Sequence, residues 1–284
     1  MHKFHGILAL VLLFTVFACT NGSERGIAED DEERLVIKAL FVPSQGFAER
    51  VENGEPKGFT IELIRDFHQF VEKKYDRPVD LVFEEETDWR TFYNRIKNGH
   101  SNKIGMGNVT ITEERKKELH FSPPYMNNVA ALISHADAPA LENIEELADV
   151  FDGRKALAFE GTLHEQRLRG LLENYFPEAA IEMAHTNDEI MERVGAADEY
   201  FAYIDLYNFQ RGIVRGLDLR HHPVADESEE QFGYILPLQS YWIDDINEWF
   251  NADEGIIHSK RYGDLMRQYL GEELAGLLLR DHSE

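Results

Sequence analysis

Asn108-Val109-Thr110-Ile111-Thr112-Glu113-Glu114-Arg115-Lys116-Lys117, followed three residues later by Phe121-Ser122-Pro123-Pro124-Tyr125, decides the reading of this chain. The run Ile104–Ile111 reads as an extended segment. Thr112 then offers a hydroxyl N-cap to a short charged helix over Glu113–Leu119. Arg115 falls in the first turn of that helix, where the helix dipole favours anions and works against a cation. A fixed guanidinium beside exposed backbone N–H groups makes a carboxylate clamp. The same spacing also fits a surface arginine in a charged helix.

Outward from this stretch, short β-rich runs alternate with helical patterns. Leu35–Phe41, Val79–Phe83, Lys155–Phe159, Ile181–Ala184, Tyr200–Ile204, Leu219–Val224 and Phe232–Leu236 read as strands. Thr60–Tyr75 carries Leu63, Ile64, Phe67, Phe70 and Val71 at helical spacing, and Trp89–Lys97 is a second helix. His164–Tyr175, Asn187–Val194, Leu206–Arg215, Trp242–Ala252 and Lys260–Leu270 complete the helical set. This alternation predicts α/β layers with helices on both sheet faces.

Open α/β sheets bind ligands where strands end and helices begin. Three such junctions carry suitable chemistry. Arg115 marks the first. At the second, Gly161-Thr162 opens a helix after Lys155–Phe159, and Thr162 with Glu165 forms a capping box. Such a helix start presents N–H groups to an anion, although capping boxes also serve structure alone. At the third, Asp205 follows Tyr200–Ile204, where it can bind an ammonium or cap the next helix. Trp89 and Phe47 lie near further junctions, and aromatics at such places are by default core.

These blocks resemble the type II periplasmic solute-binding proteins, the family of polar amino-acid receptors of ABC transporters. The specific signal is Thr110–Lys117 with Phe121–Tyr125; Gly58–Leu63, Gly161-Thr162, Tyr203–Asp205, Phe232–Ile235 and Tyr269–Gly271 support it in order and spacing. The resemblance implies an α/β two-lobed clamshell, each lobe a mixed sheet flanked by helices. Lobe 1 would comprise residues 35–128 plus 232–284, and lobe 2 residues 129–231. It implies that Arg115 grips a ligand carboxylate with the backbone N–H groups of Thr110 and Thr162, near Gly161. Asp205 would take the ammonium, helped by the Thr110 hydroxyl and the Asn108 carbonyl. Trp89 stands where the family places a stacking aromatic, and Phe47 at another. Arg115 and Asp205 would then sit in different lobes, meet only through the ligand, and be dispensable for the stability of the unbound protein.

The chain departs from the family at several places. Leu40-Phe41 stands where members often carry an acid, Asn102-Lys103 replaces an aspartate, His120 and Pro123 replace others, and Asn108 replaces a glycine. A ligand other than an amino acid therefore stays open, as does a sensing lipoprotein that signals through a membrane receptor instead of feeding an ABC permease.

The N-terminus supplies an address. A short basic head precedes the apolar run Ile7–Phe17, which is of signal-peptide length and ends in Val16-Phe17-Ala18-Cys19. Residues 1–18 read as a lipoprotein signal peptide, Cys19 as the lipidated first residue, and residues 19–34 as an acidic tether. Cys19 is the single cysteine, so the mature chain forms no internal disulfide. The location implied is the periplasm or cell surface, anchored to a bilayer.

The chain of 284 residues, 43% apolar, is long enough for two lobes with their own cores. Its 53 acidic against 29 basic residues, a formal charge of −24, argue against nucleic acid as partner. No nucleotide loop, dinucleotide fingerprint or nucleophile elbow is present, and His221-His222 would point to opposite faces of a strand. The expectation is a monomeric binding protein with no cofactor and no metal, rather than an enzyme.

Overall fold

The computed structural model describes residues 36–51, 54–252 and 255–279. The signal peptide, Cys19 and the tether lie outside the described residues. The first lobe begins with β1 (Val36–Phe41), a small hairpin of β2 (Glu49–Arg50) and β3 (Pro56–Lys57), and α1 (Phe59–Tyr75). β4 (Asp80–Glu85), α2 (Trp89–Lys97) and β5 (Lys103–Thr110) follow, and then β6 (His120–Phe121). β7 (Met126–His135) leads out to α3 (Leu147–Val150), β8 (Lys155–Phe159), α4 (Leu163–Tyr175), β9 (Ile181–Ala184) and α5 (Asn187–Ala196). β10 (Tyr200–Asp205), α6 (Leu206–Val214) and β11 (Leu219–His221) complete that lobe, and β12 (Glu227–Leu236) returns. The chain closes with α7 (Ile243–Asn251), α8 (Lys260–Leu270) and α9 (Glu272–Leu278).

The strands join in the order β4-β1-β5-β12-β7-β10-β8-β9, with β6 on β12 and β11 on β7. β1 runs parallel to β4 and β5, and β8 parallel to β9 and β10. β12 is antiparallel to both β5 and β7. The molecule is thus a two-lobed α/β clamshell whose lobes share the long strands β7 and β12. β12 shifts register between Glu227 and Glu230 and again between Gly233 and Ile235, which bends it where it crosses.

Apolar side chains divide the same way. One cluster gathers Ile37, Phe59, Phe67, Tyr125, Phe232 and Trp242 beneath α1, α7 and α8. Two others use Leu132, Phe151, Leu168 and Phe201, and Ile133, Leu157, Ile190 and Ile204, on the two faces of the other sheet. α1 shows why such a segment is helical: Phe59, Ile61, Leu63, Ile64, Phe67 and Val71 are buried at helical spacing. Each large apolar side chain so buried contributes about 1.5–3 kcal/mol. The helix starts at Gly58 with φ 129, where a Cβ would lie 2.3 Å from the Phe47 carbonyl oxygen, so only glycine fits.

The short elements β2, β3, β6 and α3 were not expected, β12 begins at Glu227 and not at Phe232, and three further differences have a plain cause. β7 was not expected, because Val129–Ser134 is a short apolar run buried on both faces, which carries no period-2 signature. The helix expected over Glu113–Leu119 is a single 3-10 turn, Arg115–Lys117. The strand expected over Leu219–Val224 stops at His221, where Pro223 opens another 3-10 turn.

Candidate functional site

β5 delivers one wall of the site. Gly107 has no side chain, and a Cβ there would meet Phe92 at 2.7 Å and Trp89 at 3.0 Å, so the strand admits these rings against its backbone. Asn108 adopts φ 51, in the left-handed region where asparagine is among the tolerated residues. This backbone explains why asparagine can replace glycine there. Its amide is pinned on both sides: Tyr125 Oη donates to Oδ1 at 2.9 Å, and Nδ2 donates to Tyr207 Oη at 2.9 Å. Burial, and next the charge of Asp205, push the Tyr207 hydroxyl up to about 12. It therefore stays protonated and can donate.

Arg115 lies half-buried above this strand. Its Nη1 donates to the Thr110 carbonyl oxygen at 2.9 Å, and its backbone N–H is held by Thr112 Oγ1 at 3.2 Å. The guanidinium carbon lies 6.0 Å from the Trp89 ring centre and 5.7 Å from that of Tyr93. Among the described residues no carboxylate approaches it within salt-bridge distance. Glu118 acts on it only through space, being engaged by Lys97 and by Tyr93 Oη at 2.7 Å. Burial lowers the Arg115 pKa, so the charge is held with little countercharge.

Asp205 ends β10 on the opposite lobe and caps α6 with its backbone only. The residue is 7% exposed, and its side chain is turned into a hydrogen-bonded ring. Asn128 Nδ2 donates to Oδ1 at 2.7 Å, His164 Nε2 lies 3.1 Å from the same oxygen, and Asn208 Nδ2 donates to Oδ2 at 3.4 Å. Arg167 Nη1 lies 3.3 Å from His164 Nδ1, and since an arginine only donates, the imidazole proton sits on Nε2 and points at Asp205. Arg167 pairs with Glu230, and Glu230 Oε2 accepts from Asn128 at 2.9 Å, which closes the ring. Asn128 and Glu230 are register partners on β7 and β12, so the ring is anchored on both crossing strands.

The start of α4 corrects two expectations. Gly161 does not offer its N–H to a ligand, because Glu165 Oε2 accepts it at 2.8 Å. The Thr162 N–H donates to the Phe159 carbonyl oxygen at 3.3 Å, while its hydroxyl accepts the Glu165 N–H at 3.4 Å. The capping box thus consumes these donors. It leaves the N–H groups of Leu163 and His164, residues that line the cavity, without an acceptor among the described residues.

The lobes meet around a cavity of about 270 Å³. Trp89 Nε1 donates to the Gly161 carbonyl oxygen at 3.2 Å, Arg90 reaches Glu160 at 3.2 Å, and Arg211 reaches Gln45 at 3.1 Å. Asn108, Thr110, Arg115, Trp89, Thr162 and Asp205 all line the cavity. Gly161 does not, and neither does Phe47. The turn closed by the Ser44–Ala48 bridge directs the Phe47 ring inward, against Phe59 and Tyr207 at 6.2 and 4.7 Å. Ser44 and Gln45, three and two residues earlier, face the cavity instead. His164, Asp188, Tyr207 and Arg211 also line it and went unnoticed in the sequence. His164, Asp188 and Tyr207 lie in the first turns of α4, α5 and α6, at the carboxyl ends of strands, which was the available signal, while Arg211 lies a turn further along α6. Among the described residues no group of three potential ligands could hold a metal ion, and no helix is long and apolar enough to cross a membrane.

A cleft between two lobes, crossed by two strands and lined by a few polar groups, defines a clamshell receptor for a small solute. Residues 39–272 match the bacterial extracellular solute-binding proteins, family 3, and the chain belongs to that family. The family is one of solute-binding proteins. The chain is 26% identical over 168 residues to the probable amino-acid-binding protein YxeM of Bacillus subtilis, covering 59% of this chain and 58% of that one. It is 27% identical over 179 residues to the ABC transporter glutamine-binding protein GlnH of the same organism, covering 57% and 61%. The chain thus spans about three-fifths of the length of these curated relatives. An ancestral arginine-binding protein bound to arginine superposes with a TM-score of 0.66 at 18% identity, covering 84% of this chain and 99% of that one. The arginine-, lysine-, histidine-binding protein ArtJ of Geobacillus stearothermophilus gives 0.64 at 18%, covering 83% and 95%. At such identity the likeness is one of fold.

Proposed function

We propose that this protein is the substrate-binding lipoprotein of an ABC-type importer and captures a small zwitterion of the amino-acid kind between its lobes. The observation that carries the reading is a pair of charges without countercharges. Arg115 faces the cavity from one lobe beside a carbonyl and two rings, and Asp205 faces it from the other beside amides and an imidazole. A zwitterion supplies both missing charges at once, and each contact is charge-assisted. In this reading Arg115 grips the carboxylate, together with the N–H groups of Leu163 and His164. Asp205 takes the ammonium, helped by the Thr110 hydroxyl and the Asn108 carbonyl. Trp89 forms a wall against the ligand.

Family membership and a relative named as a glutamine-binding protein of an ABC transporter support transport. Cys19, at the end of a signal-like run, supports a lipid anchor to a bilayer outside the cytoplasm, with residues 19–34 as tether. The lobes are assigned as residues 35–128 plus 232–284 and residues 129–231, and the working unit as a monomer. The test is a thermal-shift and calorimetric screen of L-amino acids on the mature chain. At a hundredfold excess over Kd a ligand raises stability by about 2.7 kcal/mol. At least one L-amino acid should do so, and Arg115→Ala should abolish the shift. A chain stabilised by no L-amino acid overturns the reading.

A further inference from the structure

We propose that Tyr207 locks the two lobes together in the unliganded protein, that Asn108 holds this lock, and that a solute enters only after the Tyr207 ring has withdrawn. The inference goes beyond the zwitterion reading and does not depend on which solute is bound. Tyr207 stands in the first turn of α6, a helix that packs on β7, β10 and β11 of the second lobe. Phe209, two residues further on, packs with Ile133, Leu157 and Ile204 of that lobe. The Tyr207 ring turns the other way. The residue is 3% exposed and belongs to the apolar cluster of the first lobe, with Phe47, Phe59 and Phe232. Its ring centre lies 4.7 Å from that of Phe47 and 6.4 Å from that of Phe232. One side chain of α6 is thus a core residue of the opposite lobe.

The polar end of the ring is fixed as well. Tyr125, 1% exposed, has a single hydroxyl proton, which goes to Asn108 Oδ1 at 2.9 Å. That bond decides which end of the amide is oxygen, so Nδ2 is the atom 2.9 Å from Tyr207 Oη and donates to it. Arg90 with Glu160 and Arg211 with Gln45 also cross between the lobes, but both contacts are exposed and water competes for them. Separating the lobes draws an aromatic ring out of apolar surroundings and breaks the amide–hydroxyl bond, and loss of burial and of ring pairing both oppose that. The walls that carry Arg115 and Asp205 are therefore held in register before a solute arrives. Affinity gains from this, because the binding-competent form is already the populated one. Exchange is slow in return, since each entry and exit waits for the lobes to open.

The test needs no solute. In the mature chain with Cys19→Ser, Asn94→Cys on α2 and Glu173→Cys on α4, both at exposed positions, carry a donor and an acceptor dye. Single-molecule energy transfer on protein stripped of solute by unfolding and refolding then reports lobe separation. The otherwise unaltered chain should rest closed. Asn108→Gly suits the backbone at φ 51 and removes only the amide, and the open-to-closed ratio should rise about tenfold. Tyr207→Phe keeps the ring and should act alike, and the two changes together should open the protein no further than either one alone. A chain that rests open with both residues intact overturns the proposal. So does an Asn108→Gly chain that opens no more often, which is how a ring serving only as a fixed pivot behaves. Effects of Asn108→Gly and Tyr207→Phe that simply add mean that the two residues act separately, and the lock fails.

Discussion

Arg115 and Asp205 face one cavity, yet their surroundings are opposite in kind. Arg115 rests on aromatic faces and one carbonyl contributed by its own lobe within a short span of chain. Asp205 sits in a closed ring with Asn128, His164, Arg167 and Glu230, drawn from both crossing strands and from α4. The first charge is held by its neighbours' shape, and the second by a network in which each member fixes the next. The contrast teaches that one residue is replaceable in the unbound protein and the other is not. This corrects the expectation that both are dispensable for stability, because Asp205 has three internal donors that would be orphaned.

The largest expected effect is on affinity at the simpler corner. Arg115→Ala removes one partner of a buried charge contact, which costs about 2–5 kcal/mol. That is roughly one and a half to three and a half decades in Kd at about 1.4 kcal/mol per decade. The unbound variant should melt within about 0.5 kcal/mol of wild type, since no ion pair is lost. A large loss of unbound stability would break the contrast.

At the other corner stability responds first. Glu230→Gln leaves Arg167 buried without its countercharge, and breaking such a pair costs about 3–5 kcal/mol. Denaturant unfolding of the unbound variant measures it, and an unperturbed midpoint would mean that the ring is decorative. Asp205→Asn turns an acceptor into a mixed donor, setting an amide N–H against Asn128 or His164, for about 1–3 kcal/mol of unbound stability. Its affinity should fall as well, so the two readouts move together here and separately for Arg115.

Acid offers a further handle on the second lobe. His222 is buried, its Nδ1 accepting the Leu141 N–H at 3.1 Å and its Nε2 2.8 Å from Ser134 Oγ, and burial lowers its pKa to about 4. Between about pH 6.5 and 4 the unfolded chain binds a proton that the folded chain refuses. Stability is therefore present above that window and lost as pH falls through it, by up to about 3 kcal/mol. Melting temperatures at pH 7 and pH 4.5 should differ less in His222→Gln than in wild type. The smallest effect belongs to the single contact between lobes made by Trp89. Trp89→Phe deletes its hydrogen bond to Gly161 and should weaken binding by about 0.5–1.5 kcal/mol.

The same contrast explains what was legible in the sequence. Strands and helices of the α/β layers could be read because burial follows local period, as in α1 and α2. Arg115 could be read because the residues that hold it lie within five positions or on the preceding helix. The ring around Asp205 could not, since Asn128 and Glu230 reach it from 77 and 102 positions away from their partners. Phe47 misled because a tight turn rotates its ring away from the cavity, and Gly161 because the glutamate that signals a helix start also consumes its N–H.

The way the sheet is threaded also sets the order in which the molecule can be assembled. The two clusters behind β8, β9 and β10 draw only on residues 130–225, an uninterrupted stretch that leaves the ribosome whole. The cluster beneath α1 needs residues from 37 onward together with Phe232, Trp242 and Tyr262, and so waits until those later segments have been made. Domains fold as units during synthesis, and contacts distant in sequence form slowly. The lobe that carries Asp205 is therefore the early one, and the lobe that carries Arg115 is completed only when β12 slots in between β5 and β7. Insertion of that strand, paired to β5 on one side and β7 on the other, is the step that joins the two lobes into one sheet. Until then the apolar residues of β1, α1 and β5 lack part of the core that covers them, which places the greater need for chaperone protection on that lobe.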